Sequence, residues 1–109
     1  MHHWLFLSSA ILLEVAGTIS MKLSEGFTRP IPSVLIFVIY VISFVALTLA
    51  LEKIEVSTAY TIWAGAGTAL VAIIGFLYFG ESATAIKFIS IILIIVGVIG
   101  LTHDAIKFR

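Results

Sequence analysis

The sequence predicts an all-α membrane protein with four transmembrane helices in a single domain, residues 1–109. Hydrophobic residues make up 61% of the chain, which is more than a soluble domain of this size can bury, so lipid is the expected solvent. Polar residues are concentrated in three short breaks and a tail, and the apolar runs between them are long enough to cross a bilayer as helices. The expected spans are 4–21, 31–51, 57–79 and 85–102.

The breaks between the spans carry the residue types that end and begin helices. Backbone groups in lipid must be paired internally, so each span is expected to be a helix. Pro30 and Pro32 suit the opening turn of the second helix. Ser57 follows the second break and is expected to be the N-cap of the third helix. Gly80 opens the third break and is expected to be the C-cap of the third helix.

The composition excludes several functions. Six basic and six acidic residues balance, so the net charge indicates no nucleic-acid partner. The chain has no cysteine, and therefore neither a disulfide nor a thiolate-metal site is possible. No acidic or histidine pair within a span has metal-binding spacing, and we expect no metal at His2-His3. Phosphate-binding and nucleophile motifs are also missing, so we expect no cofactor and no enzymatic activity.

Glu14 is the one charged residue in the interior of the predicted spans, midway along the first. A carboxylate at that depth costs about 3 kcal/mol on insertion scales, and binding a proton or a cation relieves the cost. Ala10, Gly17 and Thr18 share its helix face and leave room for a guest or a neighbouring helix. The structural alternative is a glutamate that only forms hydrogen bonds within a bundle.

Aromatic residues lie on one face of each of the next two helices. Tyr60 and Trp63 are three residues apart on the third helix, and Tyr40, Ser43 and Phe44 form a similar stripe on the second. Aromatic rings attract cations, and more strongly once water is excluded. Ordinary packing is the alternative for each ring, although the Trp63 N–H needs a partner at that depth.

Small residues mark two further positions. Gly65 and Gly67 in the third helix predict either a close static crossing or a hinge for alternating access. Ser90 and Gly97 are seven residues apart in a fourth helix that has no ionisable group between Lys87 and His103. That heptad spacing predicts a helix–helix seam between two copies of the chain, and a lipid-facing surface is the alternative.

The basic residues give no preferred orientation in the membrane. With four spans, each side of the membrane carries three Lys or Arg residues. One side has Lys53, Lys107 and Arg109, and the other has Lys22, Arg29 and Lys87. A balanced count predicts that chains insert both ways and pair as an antiparallel dimer. Chance is the alternative for so few charges.

Three segments resemble the small multidrug resistance transporters over nearly the whole chain. They are Glu14-Val-Ala-Gly-Thr18, the run 21–29, and Ala59-Tyr60-x-Ile-Trp63-x-Gly65-x-Gly67. The resemblance implies a multi-pass protein of the bacterial cytoplasmic membrane that works as an antiparallel homodimer, surrounded by lipid, and exchanges protons for small cations. It also implies that protons and substrate compete for a site at Glu14. The other expected site residues are Ala10, Thr18, Tyr40, Ser43, Phe44, Tyr60 and Trp63.

The pattern around the acid is similar to the branch that exports quaternary ammonium and other lipophilic cations. The guanidinium-exporting branch usually has a Trp two or three residues after the acid, where this chain has Ala16 and Gly17. Trp4 and Ser90 stand where the multidrug members commonly have Tyr and Gly. A guanidinium or polyamine-type exporter, a pair of different subunits and a non-transporting assembly subunit remain alternatives.

Overall fold

A computed structural model describes residues 2–107, and it contains four α-helices and no strand in that range. The helices are α1 (His2–Leu23), α2 (Pro30–Ala50), α3 (Val56–Leu77) and α4 (Ala85–Lys107). Each is long and apolar enough to cross a membrane, which confirms the all-α, four-span prediction. Arg109 lies outside the described residues, and of Lys107 only the backbone is described.

The helix ends agree with the sequence at α2 and differ at α3. Pro30 is the first residue of α2, as predicted. The prediction for Ser57 was wrong: α3 begins at Val56, and its N-cap is Glu55, which makes no side-chain capping bond. Gly80 is not the C-cap either, because α3 ends at Leu77 and Tyr78 takes that place. Gly80, with a φ of 65°, instead forms the turn that follows.

Helix α1 packs most extensively against α2 and also contacts α3, whereas α4 packs mainly against α3. The buried core joins the first half of α1 to the end of α2 and the start of α3. It consists of Leu7, Ile11, Ala50, Ile54, Ala59 and Ile62. No residue in the membrane-spanning window of α4 is fully buried, so most of its apolar surface faces outward, although Val98 and Leu101 pack against the core.

Two cavities locate the ends of the helices relative to one another. A cavity of about 330 Å³ is lined by Trp4, Lys53 and Asp104, which belong to the start of α1, the α2–α3 connection and the end of α4. A smaller cavity, lined by Lys22 and Phe79 among others, lies where α1 ends and the α3–α4 connection begins. The four helices therefore run alternately up and down. The α2–α3 connection lies at the same end as the start of α1, and the α3–α4 connection lies at the opposite end.

Candidate functional site

The Glu14 carboxylate is half-buried and belongs to a hydrogen-bonded network between α1 and α2. The Thr18 hydroxyl, one turn further along α1, donates to Glu14 Oε1 at 2.9 Å. Thr18 Oγ1 is also 2.8 Å from the hydroxyl of Tyr40 on α2. Either hydroxyl can be the donor in this second bond, and the Tyr40 hydroxyl is also 3.6 Å from Met21 Sδ, to which it can donate instead. The network fixes one carboxylate oxygen and leaves Oε2 without a hydrogen bond in the described chain.

Two glycines allow this arrangement by bringing backbone close to the site. A Cβ at position 67 of α3 would be 2.7 Å from Glu14 Oε2, so α3 approaches the carboxylate as closely as it does because residue 67 has no side chain. A Cβ at position 17 would overlap the Tyr40 ring. Gly17 and Gly67 thus determine where the Tyr40 ring and the Glu14 carboxylate can lie.

Four aromatic rings, beginning with Tyr40, form a row across α2 and α3. The ring centroids of Tyr40 and Phe44 are 6.1 Å apart, those of Phe44 and Trp63 are also 6.1 Å apart, and those of Trp63 and Tyr60 are 5.5 Å apart. Phe44 and Tyr60 are 52% and 57% exposed, so this row of rings lies open on one side of a single chain. The structure brings together Glu14, Thr18 and all four predicted aromatic residues.

The Trp63 side chain has an unsatisfied polar atom. Its Nε1 is buried and has no hydrogen-bond partner within the part of the chain that the structure describes. The sequence predicted that this N–H needs a partner at depth, and residues 2–107 do not provide one. A buried donor of this kind costs free energy unless an acceptor reaches it from elsewhere.

Ala10 and Ser43, two of the predicted binding residues, lie inside the contact between α1 and α2. Ala10 is fully buried and Ser43 is 1% exposed. The Ser43 hydroxyl donates to the Ala10 carbonyl oxygen at 2.7 Å. In one chain, therefore, this hydroxyl is occupied in joining the two helices, and its role toward a substrate stays a prediction.

The predicted hinge and seam residues lie on α3 and α4. A Cβ at position 65 would be 2.7 Å from Val98 Cγ2, so Gly65 permits close packing of α3 against α4. Helix α3 is continuous through both Gly65 and Gly67. Ser90 and Gly97 lie exposed on α4, and a Cβ at position 97 would meet no atom within 4 Å. Hinge bending and the dimer seam both stay predictions.

The position of a second carboxylate, that of Glu81 in the α3–α4 connection, was not predicted from the sequence, which assigned this residue only to a loop. The structure folds the Glu81 carboxylate back against Gly75 in the last turns of α3. The glycine at position 75 was the available signal, because it leaves space for a returning side chain. The direction of a loop side chain, however, follows from no periodic pattern.

The sequence matches the family described as Small Multidrug Resistance protein over residues 2–94. It is 54% identical over 99 residues to the uncharacterized membrane protein YvaE of Bacillus subtilis, covering 91% of this chain and 83% of that one. It is 43% identical over 98 residues to the quaternary ammonium compound-resistance protein QacF of Klebsiella aerogenes, covering 90% and 89%. It is 42% identical over 102 residues to a guanidinium exporter of Salmonella typhimurium, covering 94% and 97%.

The family match and the four spans confirm a multi-pass protein of the bacterial inner membrane. They also confirm that the chain is a transporter of cationic substrates rather than an enzyme. The resemblance drawn from the residues around Glu14 and Trp63 is thus confirmed over nearly the whole sequence. The chain belongs to the small multidrug resistance family.

Proposed function

We propose that this protein is a proton-coupled antiporter that exports hydrophobic and quaternary ammonium cations, with protons and substrate competing for Glu14. One observation carries the proposal. The single acidic residue in the interior of the spans is linked through Thr18 to Tyr40, and Tyr40 begins a continuous row of aromatic rings. A carboxylate beside aromatic faces is the chemistry that recognises an organic cation with an apolar body.

The two oxygens of Glu14 have different roles in this proposal. Thr18 orients the carboxylate through Oε1, which leaves Oε2, beside Gly67, to accept a proton or to face a cation. Either guest neutralises a charge that is costly in lipid, and each one excludes the other. A proton entering from outside then releases the cation there, and a cation binding inside releases the proton.

A second copy of the chain completes the site in this proposal. The aromatic row lies open to one side, so one chain leaves a bound cation partly exposed to lipid. The unpaired Trp63 N–H also needs an acceptor that residues 2–107 lack. The exposed α4 offers Ser90 and Gly97 as the contact between copies. Because the Lys and Arg count is balanced, the expected pair is an antiparallel homodimer with both topologies in one membrane.

Lipophilic cations are the proposed substrates, with guanidinium or polyamine-type metabolites as the alternative within the family. The named relatives include both a quaternary ammonium resistance protein and a guanidinium exporter, so their names do not distinguish between the two substrate classes. The packing beside Glu14 favours lipophilic cations. The Tyr40 ring occupies the space next to Gly17, so there is no room for the Trp that the guanidinium-exporting branch usually has near this position. A competition series of tetraphenylphosphonium, guanidinium and spermidine tests this. Displacement of tetraphenylphosphonium by low concentrations of guanidinium would reverse the order of the two classes.

The decisive experiment is proton release from the detergent-solubilised wild-type protein when tetraphenylphosphonium is added. We expect release from the wild type, none from Glu14→Gln, and wild-type release from the control Glu55→Gln, since Glu55 lies outside the spans. Resistance of cells to quaternary ammonium compounds should be lost in Glu14→Gln. Full cation export by Glu14→Gln would overturn the mechanism. An absence of release across a broad cation panel would favour the non-transporting assembly subunit, which family membership already argues against.

A further inference from the structure

The α3–α4 connection contains a second carboxylate in an unusual position. The Glu81 backbone N–H donates to the Gly75 carbonyl at 3.0 Å, and the side chain folds back so that its Oε1 fills the space that a Cβ at position 75 would take. This is the C-terminal end of α3, where unpaired carbonyl groups give the helix a partial negative charge. A carboxylate held there is repelled by the helix, so a positive charge beside it would be stabilised.

The described chain provides no ion pair to Glu81. Two lysines flank it, but each lies near an aromatic ring instead. Lys22 Nζ is 6.0 Å from the centroid of Phe79, and Lys87 Nζ is 5.8 Å from that of Phe76. Among residues 2–106, whose side chains are described, the one salt bridge is the exposed Arg29–Glu25 pair. The positive charge that the Glu81 environment favours is therefore not supplied in direct contact.

Glu81 lines a cavity that connects this loop to the Glu14 network. The cavity has a volume of about 190 Å³, and Lys22, Phe79 and Glu81 lie around it at the loop end. Its other lining residues include Thr18, the residue that donates to Glu14. Ile19 and Val71 provide apolar walls. The cavity thus combines a carboxylate, an aromatic face and apolar walls, which is the same set of groups found around Glu14.

We propose that Glu81 and Phe79 form a second, outer cation site, at which a small organic ammonium ion stays briefly on its way to or from Glu14. Lys22 acts there as a built-in competitor, since its ammonium group already lies near the Phe79 ring. A guest must displace Lys22 to reach the ring and the carboxylate together. Removing Glu81 should therefore weaken this site, and neutralising Lys22 should strengthen it.

The test isolates the outer site by removing the inner one. Tetraethylammonium chloride is titrated into the full-length Glu14→Gln protein in detergent, at constant ionic strength, and the amide NMR signals of Gly75, Phe79 and Gly80 are followed. We expect saturable shifts that vanish in Glu14→Gln/Glu81→Gln and persist in the control Glu14→Gln/Glu55→Gln. In Glu14→Gln/Lys22→Gln the apparent Kd should fall by roughly fivefold, because a competing charge near the carboxylate is gone.

Equal shifts with and without Glu81, or shifts that never saturate, would overturn the outer site. An unchanged or higher Kd in the Lys22→Gln background would remove Lys22 as a competitor and contradict the proposal in that form. The inference extends the proposed transport function, yet its test does not depend on it. All variants in this titration lack Glu14, so a failure of the exporter mechanism appears separately, in the proton-release experiment on the wild type.

Discussion

Glu14 Oε2 and Gly67 lie so close that a Cβ at position 67 would stand 2.7 Å from the carboxylate oxygen. Such a separation is shorter than real Cβ contacts allow, so any side chain at position 67 must displace the carboxylate or separate α1 from α3. The oxygen concerned is the one that Thr18 leaves free. The position of the proposed binding group therefore depends on this glycine, because the end of the flexible Glu14 side chain is what an added Cβ would push away.

Gly67→Ala should lower the affinity for tetraphenylphosphonium by roughly tenfold. The added methyl group must push the Glu14 carboxylate out of the position in which it meets the cation, and small misplacements of a binding group have large effects. Isothermal titration in detergent measures the affinity. The control is Gly100→Ala, where an added Cβ meets no atom within 4 Å in one chain. Wild-type affinity in Gly67→Ala would show that α3 moves away from Glu14 when the cation binds.

Thr18→Val keeps the shape of the side chain and removes the hydroxyl that connects Glu14 to Tyr40. We expect cation affinity to fall by roughly fivefold, the equivalent of about 1 kcal/mol for one hydrogen bond. Thr18→Ser should restore most of it. The matched control is Thr48→Val, because Thr48 bonds only to the Phe44 carbonyl in its own helix. Equal losses in both valine variants would mean that helix stability, not orientation of the carboxylate, is affected.

Ser43→Ala separates a structural role from a substrate-binding role for a residue that the sequence assigned to the site. The hydroxyl is buried and bonds to the Ala10 carbonyl, so its loss should destabilise the fold by about 0.6 kcal/mol, the average for such bonds between membrane helices. Thermal unfolding in detergent measures this cost. Cation affinity below the unfolding transition should remain at the wild-type value. A selective loss of affinity with unchanged unfolding would instead establish Ser43 as a ligand of the substrate.

Replacing Lys107 and Arg109 with glutamine tests dual topology, since it changes the balance of basic residues from three against three to one against three. Cysteine labelling from each side of the membrane should find wild-type chains in both orientations and the variant mostly in one. The variant alone should confer weak resistance. Co-expression with Arg29→Gln/Lys87→Gln, which is biased the opposite way, should restore it. Wild-type chains that all face one way would make a pair of different subunits the leading assembly.

The sequence by itself determined the number and type of the elements and the identity of the central acid. Four apolar runs of transmembrane length leave helices as the stable structure in lipid, and Glu14 is conspicuous because a buried charge there is costly. Helix caps at Ser57 and Gly80 were misplaced, because α3 already begins at Val56 and ends at Leu77, before the turn in which Gly80 takes its positive φ. Spacing also placed Tyr60 beside Trp63, since both belong to one helix face.

Only the tertiary structure decided which helices bring their side chains together. Helical periodicity gives the face of a residue but not its partner on another helix, so the Thr18–Tyr40 bond and the Gly67 contact with Glu14 had no sequence signal. Ser43 shows the same limit, because one polar face could serve a substrate or a neighbouring helix until packing placed Ala10 against it. The direction of the Glu81 side chain toward Gly75 follows from the conformation of the turn after α3, which helical periodicity does not predict.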